Sequence, residues 1–539
     1  MTPSRSPHIG PSAQSPTLMR LRTSLAAFRR RRRRATTVGA TLLLLGGVAG
    51  GVAGCRNDLN VTDPNAPGTT SFFKTASDAD AALTATYNTL LRLGTFQRWQ
   101  AFSYDLRSDI GTSSSPWAEL QAFVKHQFPS GYDFDVNRDT WNDSYTMIAR
   151  ANQVIANVPG IDMNTTQRDR LVGEAKFLRG LTYFHLVTLY GGKIPLITAP
   201  PAYSDRPPSS DSAAVFAQIE KDFTEAAAAM PIALPRDNGG RASKGAAQGM
   251  LGKTLLQERK FSAAATALAP VVNKQVGQYK LVDDYGSLFR KEGNNNGTGP
   301  ESIYEVQVGN PDLINTQGLG GLNIAKMIGP CGPSYCDGRT TEWFYQQFLT
   351  ETTTSGKVDP RLDATLFYYK GDTTTVYGQT WQQRYGNDHN VKFWKKYGEY
   401  YTGSGDQSWE AQINYKVLRF ADALLMYAEA LNETTGPAAA KQYVDLVRGR
   451  AGLAPLPATL SQAAMRDEIL HQRLLEFGLE AQRWLDLGRQ NLLSTQASID
   501  VLKTHDSDFN NFVVGKSALL PIPQAERNLN PNIQQNPGW

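Results

Sequence analysis

Between Trp381 and Trp409 the chain combines flat rings with hydrogen-bonding side chains, the mixture that carbohydrate recognition needs. Aromatic faces cover the apolar C–H patches of a sugar ring, and amide, carboxylate and guanidinium groups take its hydroxyls. An apolar lining with a few orienting polar groups is the general form of a small-molecule pocket. The candidate ligand contacts are Trp381, Arg384, Tyr385, Asn387, Asp388, Trp394, Tyr400 and Tyr401. The competing reading is that these rings pack their segment onto the rest of the protein.

Covalent and metal chemistry lack their usual signatures. The six histidines, His8, His126, His185, His389, His471 and His505, are scattered. No His-Glu-x-x-His pattern, Gly-x-Ser-x-Gly elbow or phosphate-binding glycine loop occurs. Glycoside cleavage would need a pair of carboxylates, and nothing selects a pair from 50 acids. Asp133-Phe-Asp135-Val-Asn137-Arg-Asp139 carries oxygen ligands at alternate positions, as a calcium loop does. Arg138, however, replaces the turn glycine, and Ser144 stands where a bidentate Glu belongs. It reads as a polar loop leading into a helix. No catalytic residue, metal or cofactor is expected.

Helices must position the candidate residues. Thr75-Ala-Ser-Asp78 has the form of a capping box, after which Ala79, Leu83, Tyr87 and Leu90 recur at helical spacing. Trp141, Tyr145, Ile148, Ile155 and Val158 carry a second helix. A third is capped at Thr166-Gln-Arg-Asp169 and stopped by Gly191-Gly192. Phe216 to Met230 is a fourth. Gly245 to Gln257 and Phe261 to Val272, joined by Glu258-Arg259-Lys260, look like a tetratricopeptide-type hairpin, although no period of about 34 residues runs through the chain.

Between Gln275 and Asn414 helical periodicity fades, the composition becomes loop-like, and only Ser302 to Val308 alternates like a strand. Helical order resumes at Tyr415, continues through Lys441 to Arg448, and ends in a helix over Ser461 to Arg489. From Leu519 a Pro- and Asn-rich strap follows. The expected fold is therefore mainly α, with a first helical part over 55–274, a loop-rich insertion with a few short strands over 275–414, and a last helical part over 415–539. Glu174, Arg179, Arg419, Asp422, Glu429, Glu476, Arg483 and Asp486 sit in apolar helices and must be paired. Trp141, Trp484 and Trp539 belong to packing.

The first 54 residues read as a removable export signal. Six arginines, Arg29 to Arg34, precede a short glycine-containing apolar run that ends in Val52-Ala53-Gly54-Cys55. A membrane-spanning helix needs about 20 apolar residues, so a basic segment followed by a short apolar one fits a signal peptide better. Nine basic residues and no acid precede Cys55, so the net charge changes from +5 to 46 basic against 50 acidic residues, or −4. That argues against a nucleic-acid partner. The other two cysteines, Cys331 and Cys336, flank Gly-Pro-Ser-Tyr and suit a local disulfide in an oxidising compartment. Two thiolates are too few for structural zinc.

Five segments in register, together with the lipobox-like Val52 to Cys55, resemble the SusD/RagB family of outer-membrane nutrient-uptake lipoproteins. They are Gly173-Glu-Ala-Lys-Phe-Leu-Arg-Gly180 with Leu189-Tyr-Gly-Gly-Lys-Ile-Pro-Leu196; Val417 to Asn432; Val447-Arg-Gly-Arg-Ala-Gly-Leu453; Arg473-Leu-Leu-Glu-Phe-Gly-Leu-Glu480 with Arg483-Trp-Leu-Asp-Leu487; and Leu520-Pro-Ile-Pro523 with Gln535-Asn-Pro-Gly538. Two departures are visible. Gln472 stands where the family pattern has Glu, and the residues after Cys55 lack the dense acidic run that marks surface export in some relatives. The resemblance implies a tetratricopeptide-like scaffold, lipid attachment at Cys55, a position on the outer membrane facing the cell exterior, and no catalysis. It also implies a SusC-like TonB-dependent transporter as partner. The implied ligand is oligosaccharide, with peptide as the alternative within the family. A secreted glycan-active hydrolase on a helical frame is the alternative outside it.

Overall fold

Thr75 begins the first helix as the sequence predicts: its hydroxyl accepts from Asp78 N at 3.2 Å, and the Asp78 carboxylate accepts from Thr75 N at 2.8 Å. In the computed structural model, residues 72–129, 132–232, 240–291, 299–308 and 320–539 are described. The export segment and Cys55 lie outside them. Helix α1 (Ala76–Asn88) packs on α2 (Asp135–Asn157), which buries Trp141, Met147, Ile148 and Val154 along one stripe. Helix α3 (Thr165–Tyr190) is buried on nearly all sides from Leu171 onward, as the central member of a stack must be. Its cap is Asn164, whose side chain accepts from Gln167 N at 3.0 Å, rather than the expected Thr166 to Asp169 box. Gly191, at φ 67°, ends it in a conformation that favours glycine.

Helix α4 (Ser212–Ala229) packs between α3 and α5 (Lys244–Gln257), and α5 pairs with α6 (Phe261–Val272). The α5–α6 crossing depends on Gly252, where a Cβ would lie 2.4 Å from Leu268 Cγ. Helix α6 also packs directly on α7 (Phe420–Thr434), although nearly 150 residues separate them. The insertion is thus looped out of a continuous helical stack. Helix α8 (Pro437–Arg450) and α9 (Gln462–Phe477) extend it, followed by α10 (Arg483–Arg489) and α11 (Gln496–His505).

Two further expectations need correction. Tyr415 to Arg419 is not helix but a strand, β2, antiparallel to β1 (Ser302–Val306), and α7 starts only at Phe420. All five β2 residues are buried, so a helical stripe and a two-sided buried strand look alike over this length. The single helix expected from Ser461 to Arg489 is broken at Leu479 and Ala481, which have φ of 66° and 58°. There the Asp105 carboxylate accepts from Ala481 N at 2.6 Å and Arg483 N at 3.1 Å, giving those amides partners outside the helix ladder. The C-terminal strap is mainly extended, with one turn of helix at Gln524–Leu529, and is tied to α3 through Leu520 N to Leu189 O at 2.8 Å.

The eight charges expected within apolar helices, of which Arg419 lies instead at the end of β2, are all paired. Arg419 meets Glu301, Glu476 and Glu480 at 2.5, 3.0 and 2.7 Å. Arg473 joins Asp422 to Asp486, Arg489 meets Glu429, Arg483 meets Asp109, Arg179 meets Asp222, and Arg170 meets Glu174. Burial alone would raise the Glu476 carboxyl, but Arg450, Arg419 and Arg361 outweigh it and hold the group well below the usual carboxylate range. Gln472, the departure from the family pattern, is buried and accepts from Arg361 Nη2 at 2.9 Å. An amide can therefore occupy this position without leaving a buried polar group unpaired.

Candidate functional site

The ring cluster singled out in the sequence is largely a second small core. Trp381 is 0% exposed and packs with Phe367, Val376, Tyr377 and Phe393. Its Nε1 donates to Asp388 O at 2.9 Å, and the helix Trp381–Tyr385 that carries it starts from a Thr380–Gln383 capping box. Trp394 is 2% exposed, lies in the main core, and pairs in register with Leu366. This corrects the expectation for these two rings, since neither offers a face to a ligand arriving from solvent. The competing packing reading holds for both.

The remaining candidates divide by role. Arg384 donates to three carbonyl oxygens, those of Val376 (2.6 Å), Tyr377 (3.0 Å) and Gly405 (3.2 Å). Tyr385 donates from Oη to Cys331 O at 3.2 Å. Both brace loops. Asn387 and Asp388 are exposed on a turn, where Asp388 Oδ1 accepts from Asn390 N. Tyr401 Oη accepts from Lys291 N at 2.6 Å. Tyr400 is partly buried, edge-on to Phe367 at 5.3 Å, with Lys395 Nζ 4.8 Å from its centroid.

These braces converge on two loops. Cys331 and Cys336 form the expected disulfide, with Cα atoms 4.8 Å apart, and both pack against the small core. Tyr335 N donates to Lys326 O and Asp337 N to Met327 O, each at 2.8 Å, which fixes the closed loop on its neighbour. The loop from Gly403 to Glu410 is tied to it by Gln407 N to Pro333 O at 3.1 Å, and Asn323 Nδ2 donates to Trp409 O at 2.9 Å.

The braced loops display Tyr335 and Trp409. These are 58% and 45% exposed with centroids 5.9 Å apart, the only two exposed aromatic rings among the described residues that lie against each other. Such a pair would ordinarily be buried for its apolar area. Charged groups surround it. The Arg98 guanidinium lies between Trp99 and Trp409, 5.0 and 5.4 Å from their centroids, and among the described residues it has no ion pair. It is 9% exposed, and its Nε has no hydrogen-bond partner. Lys326 Nζ is 5.4 Å from the Tyr335 centroid and bonds the exposed Asp406 at 2.9 Å. Asp337 accepts from Ser115 Oγ at 2.5 Å, and burial pushes its carboxyl up.

Two open rings with donors and acceptors at their margins can stack a flat, hydroxyl-rich ligand. They do not form a nucleophile–base couple. Of the rings in that segment, the sequence reading chose Trp381 and Trp394, which are buried, and passed over Trp409, which is exposed. Trp409 follows Gly403-Ser-Gly-Asp-Gln-Ser408, which has nothing apolar to hide it, and Tyr335 lies in a six-residue ring too small to enclose it. Those contexts were the available signal.

Stacked helical hairpins with a loop-rich insertion that displays an exposed pair of rings define the class: a tetratricopeptide-like helical scaffold. The chain belongs to the SusD/RagB family. The model described as "SusD family" matches residues 278–539, and one described as "Starch-binding associating with outer membrane" matches residues 68–256. The chain is 27% identical to SusD-like protein P2 of Formosa agariphila, over 90% of this chain and 97% of that protein. A solved laminarin-binding SusD-like protein is 29% identical with a TM-score of 0.70, covering 86% of this chain and all of that one. A SusD superfamily protein from Bacteroides vulgatus, at 23% identity, shares the fold with a TM-score of 0.75 over 87% of this chain and all of that one. Among the described residues no helix is long and apolar enough to cross a membrane.

Proposed function

We propose that this protein captures oligosaccharide at the outer face of the outer membrane, to which Cys55 tethers it by lipid, and passes it to a SusC-like TonB-dependent transporter without cleaving it. The observation that carries the reading is the Tyr335–Trp409 pair, held open to solvent beside Arg98, which has no ion pair among the described residues. Rings left exposed in a monomer mark a contact surface, and here polar partners for hydroxyls stand at their edges. Family membership and the laminarin-binding relative support sugar over peptide. The basic leader ending at Cys55 supports the lipid tether. Sugar rings would lie against Trp409 and Tyr335, with Arg98, Lys326 and Asp406 taking hydroxyls. Of the residues expected from sequence, Arg384 and Tyr385 act as supports, and Asn387, Asp388 and Tyr401 border the same subdomain. Binding of an oligosaccharide panel, with chromatography for released products, tests the proposal. Saturable binding without products agrees with it, whereas product release abolished by a carboxylate substitution points to a hydrolase. Co-purification with the transporter from membranes tests the partner.

A further inference from the structure

Away from the Tyr335–Trp409 pair, the insertion contains two cavities of about 380 and 250 Å³ that share Lys395 and Tyr400 in their walls. Their charges differ. In the smaller one the cations other than Lys395 are committed: Arg290 pairs with Asp284 at 2.6 Å, while Arg361 and Arg450 belong to the buried Glu476 network. Among the described residues, the larger is lined by Lys370 and Lys395 and by no acid.

Lys395 is the unusual group. Its Nζ donates to one carbonyl oxygen, Asp363 O at 2.5 Å, and among the described residues has no carboxylate within ion-pair distance. It lies over Tyr400 and Phe367, 4.8 and 5.4 Å from their centroids. An ammonium has three donors, so two remain for a ligand in a partly buried setting where a charge-assisted bond is strong. Burial pushes its pKa down to about 8, with Asp363 opposing that shift and Lys370 and Arg290 adding to it. Lys370 Nζ stands 3.2 Å from the Asp363 carboxylate and is half exposed. The exposed Thr373 and Thr375 supply hydroxyls on the same wall.

Resting on the glycan-capture reading, we infer that this cavity is an anion subsite: it takes the carboxylate or sulfate group of an acidic sugar between Lys395 and Lys370, with the sugar ring against Tyr400. The ligand is then an anionic oligosaccharide.

The test is calorimetric titration of the full chain with three probes: oligogalacturonate, a sulfated galactan oligosaccharide and neutral laminarin oligosaccharides. The inference expects one of the two anionic probes to bind more tightly than the neutral one and to weaken with added salt. It also expects Lys395→Gln and, separately, the surface substitution Lys370→Gln to weaken that probe at least about tenfold, the loss of a charge-assisted bond, while neutral binding stays constant. Whichever anionic probe responds identifies carboxylate or sulfate. The inference is overturned if neither anionic probe exceeds the neutral one, or if both substitutions leave its affinity unchanged. Neutral binding that depends on Trp409 in that case leaves glycan capture standing, whereas absence of binding by all three probes overturns both.

Discussion

Replacing Trp381 by Ala separates a ring that supports the site from a ring that touches ligand. Trp381 is 0% exposed. A buried aromatic removes about 150–250 Å² from water, which at about 25 cal/mol per Å² gives an upper value of roughly 4–6 kcal/mol. Its indole hydrogen bond to Asp388 O adds about 1 kcal/mol. Partial collapse of a small cluster near the surface reduces the total, so a loss of about 3–5 kcal/mol is expected, the usual range for Trp→Ala. Because the cluster lies outside the helical stack, the loss should appear as local opening. Hydrogen exchange should accelerate across 367–394 and in the disulfide loop 331–336, with the helices less affected. Oligosaccharide affinity should fall with it, and Trp381→Phe should retain most of both. If Trp381→Ala leaves exchange unchanged yet abolishes binding, the ring contacts ligand directly and the bracing argument is wrong.

Arg419→Met leaves Glu301, Glu476 and Glu480 facing one another with one buried cation fewer. It should lower unfolding stability by about 3–5 kcal/mol in urea titrations, and an unchanged midpoint would contradict the pairing described. Acid should destabilise the fold. Against burial, Arg483 leads the groups that hold Asp109 down to about 2, and Glu476, Asp422 and Asp486 are likewise lowered by their cations. Because these folded values lie below the unfolded ones, their stabilisation is present at neutral pH and is lost as pH falls from about 5 toward the folded values. Melting temperature should drop steadily from pH 6 to pH 3, and a flat profile would contradict the assignment. The Cys331→Ser/Cys336→Ser double variant removes a constraint of about 2 kcal/mol on a short loop. It should weaken oligosaccharide binding through Tyr335 and lower unfolding stability by no more than about that 2 kcal/mol.

Much of the helical scaffold was legible because its signals are local. The Thr75–Asp78 capping box, the Trp141 stripe, the glycine stop after Tyr190 and the paired charges are each decided within a few residues or by the cost of an unpaired buried charge. The failures came where distant chain segments decide. Tyr415 to Arg419 becomes a strand because Ser302 to Val306 lies beside it, and the Leu479–Ala481 break has its partner in Asp105. The same limit applies to the rings. An aromatic-rich stretch shows that rings are present, but which are buried depends on folding the insertion into a core of its own. Trp381 falls inside that core and Trp394 inside the main one, while Trp409, in a Gly- and Ser-rich loop, falls outside both. Arg98, far away in sequence, reaches the site only through the fold.

The most direct test is titration of neutral oligosaccharides, laminarin fragments among them, into the wild-type protein and into the Tyr335→Ala/Trp409→Ala double variant, with melting temperatures taken on the same samples. Removing two exposed rings should cost roughly 3 kcal/mol of binding, about a hundredfold in affinity, with melting unchanged because neither ring supports the core. Equal affinities for the two proteins would contradict the claim that this open pair of rings holds the ligand.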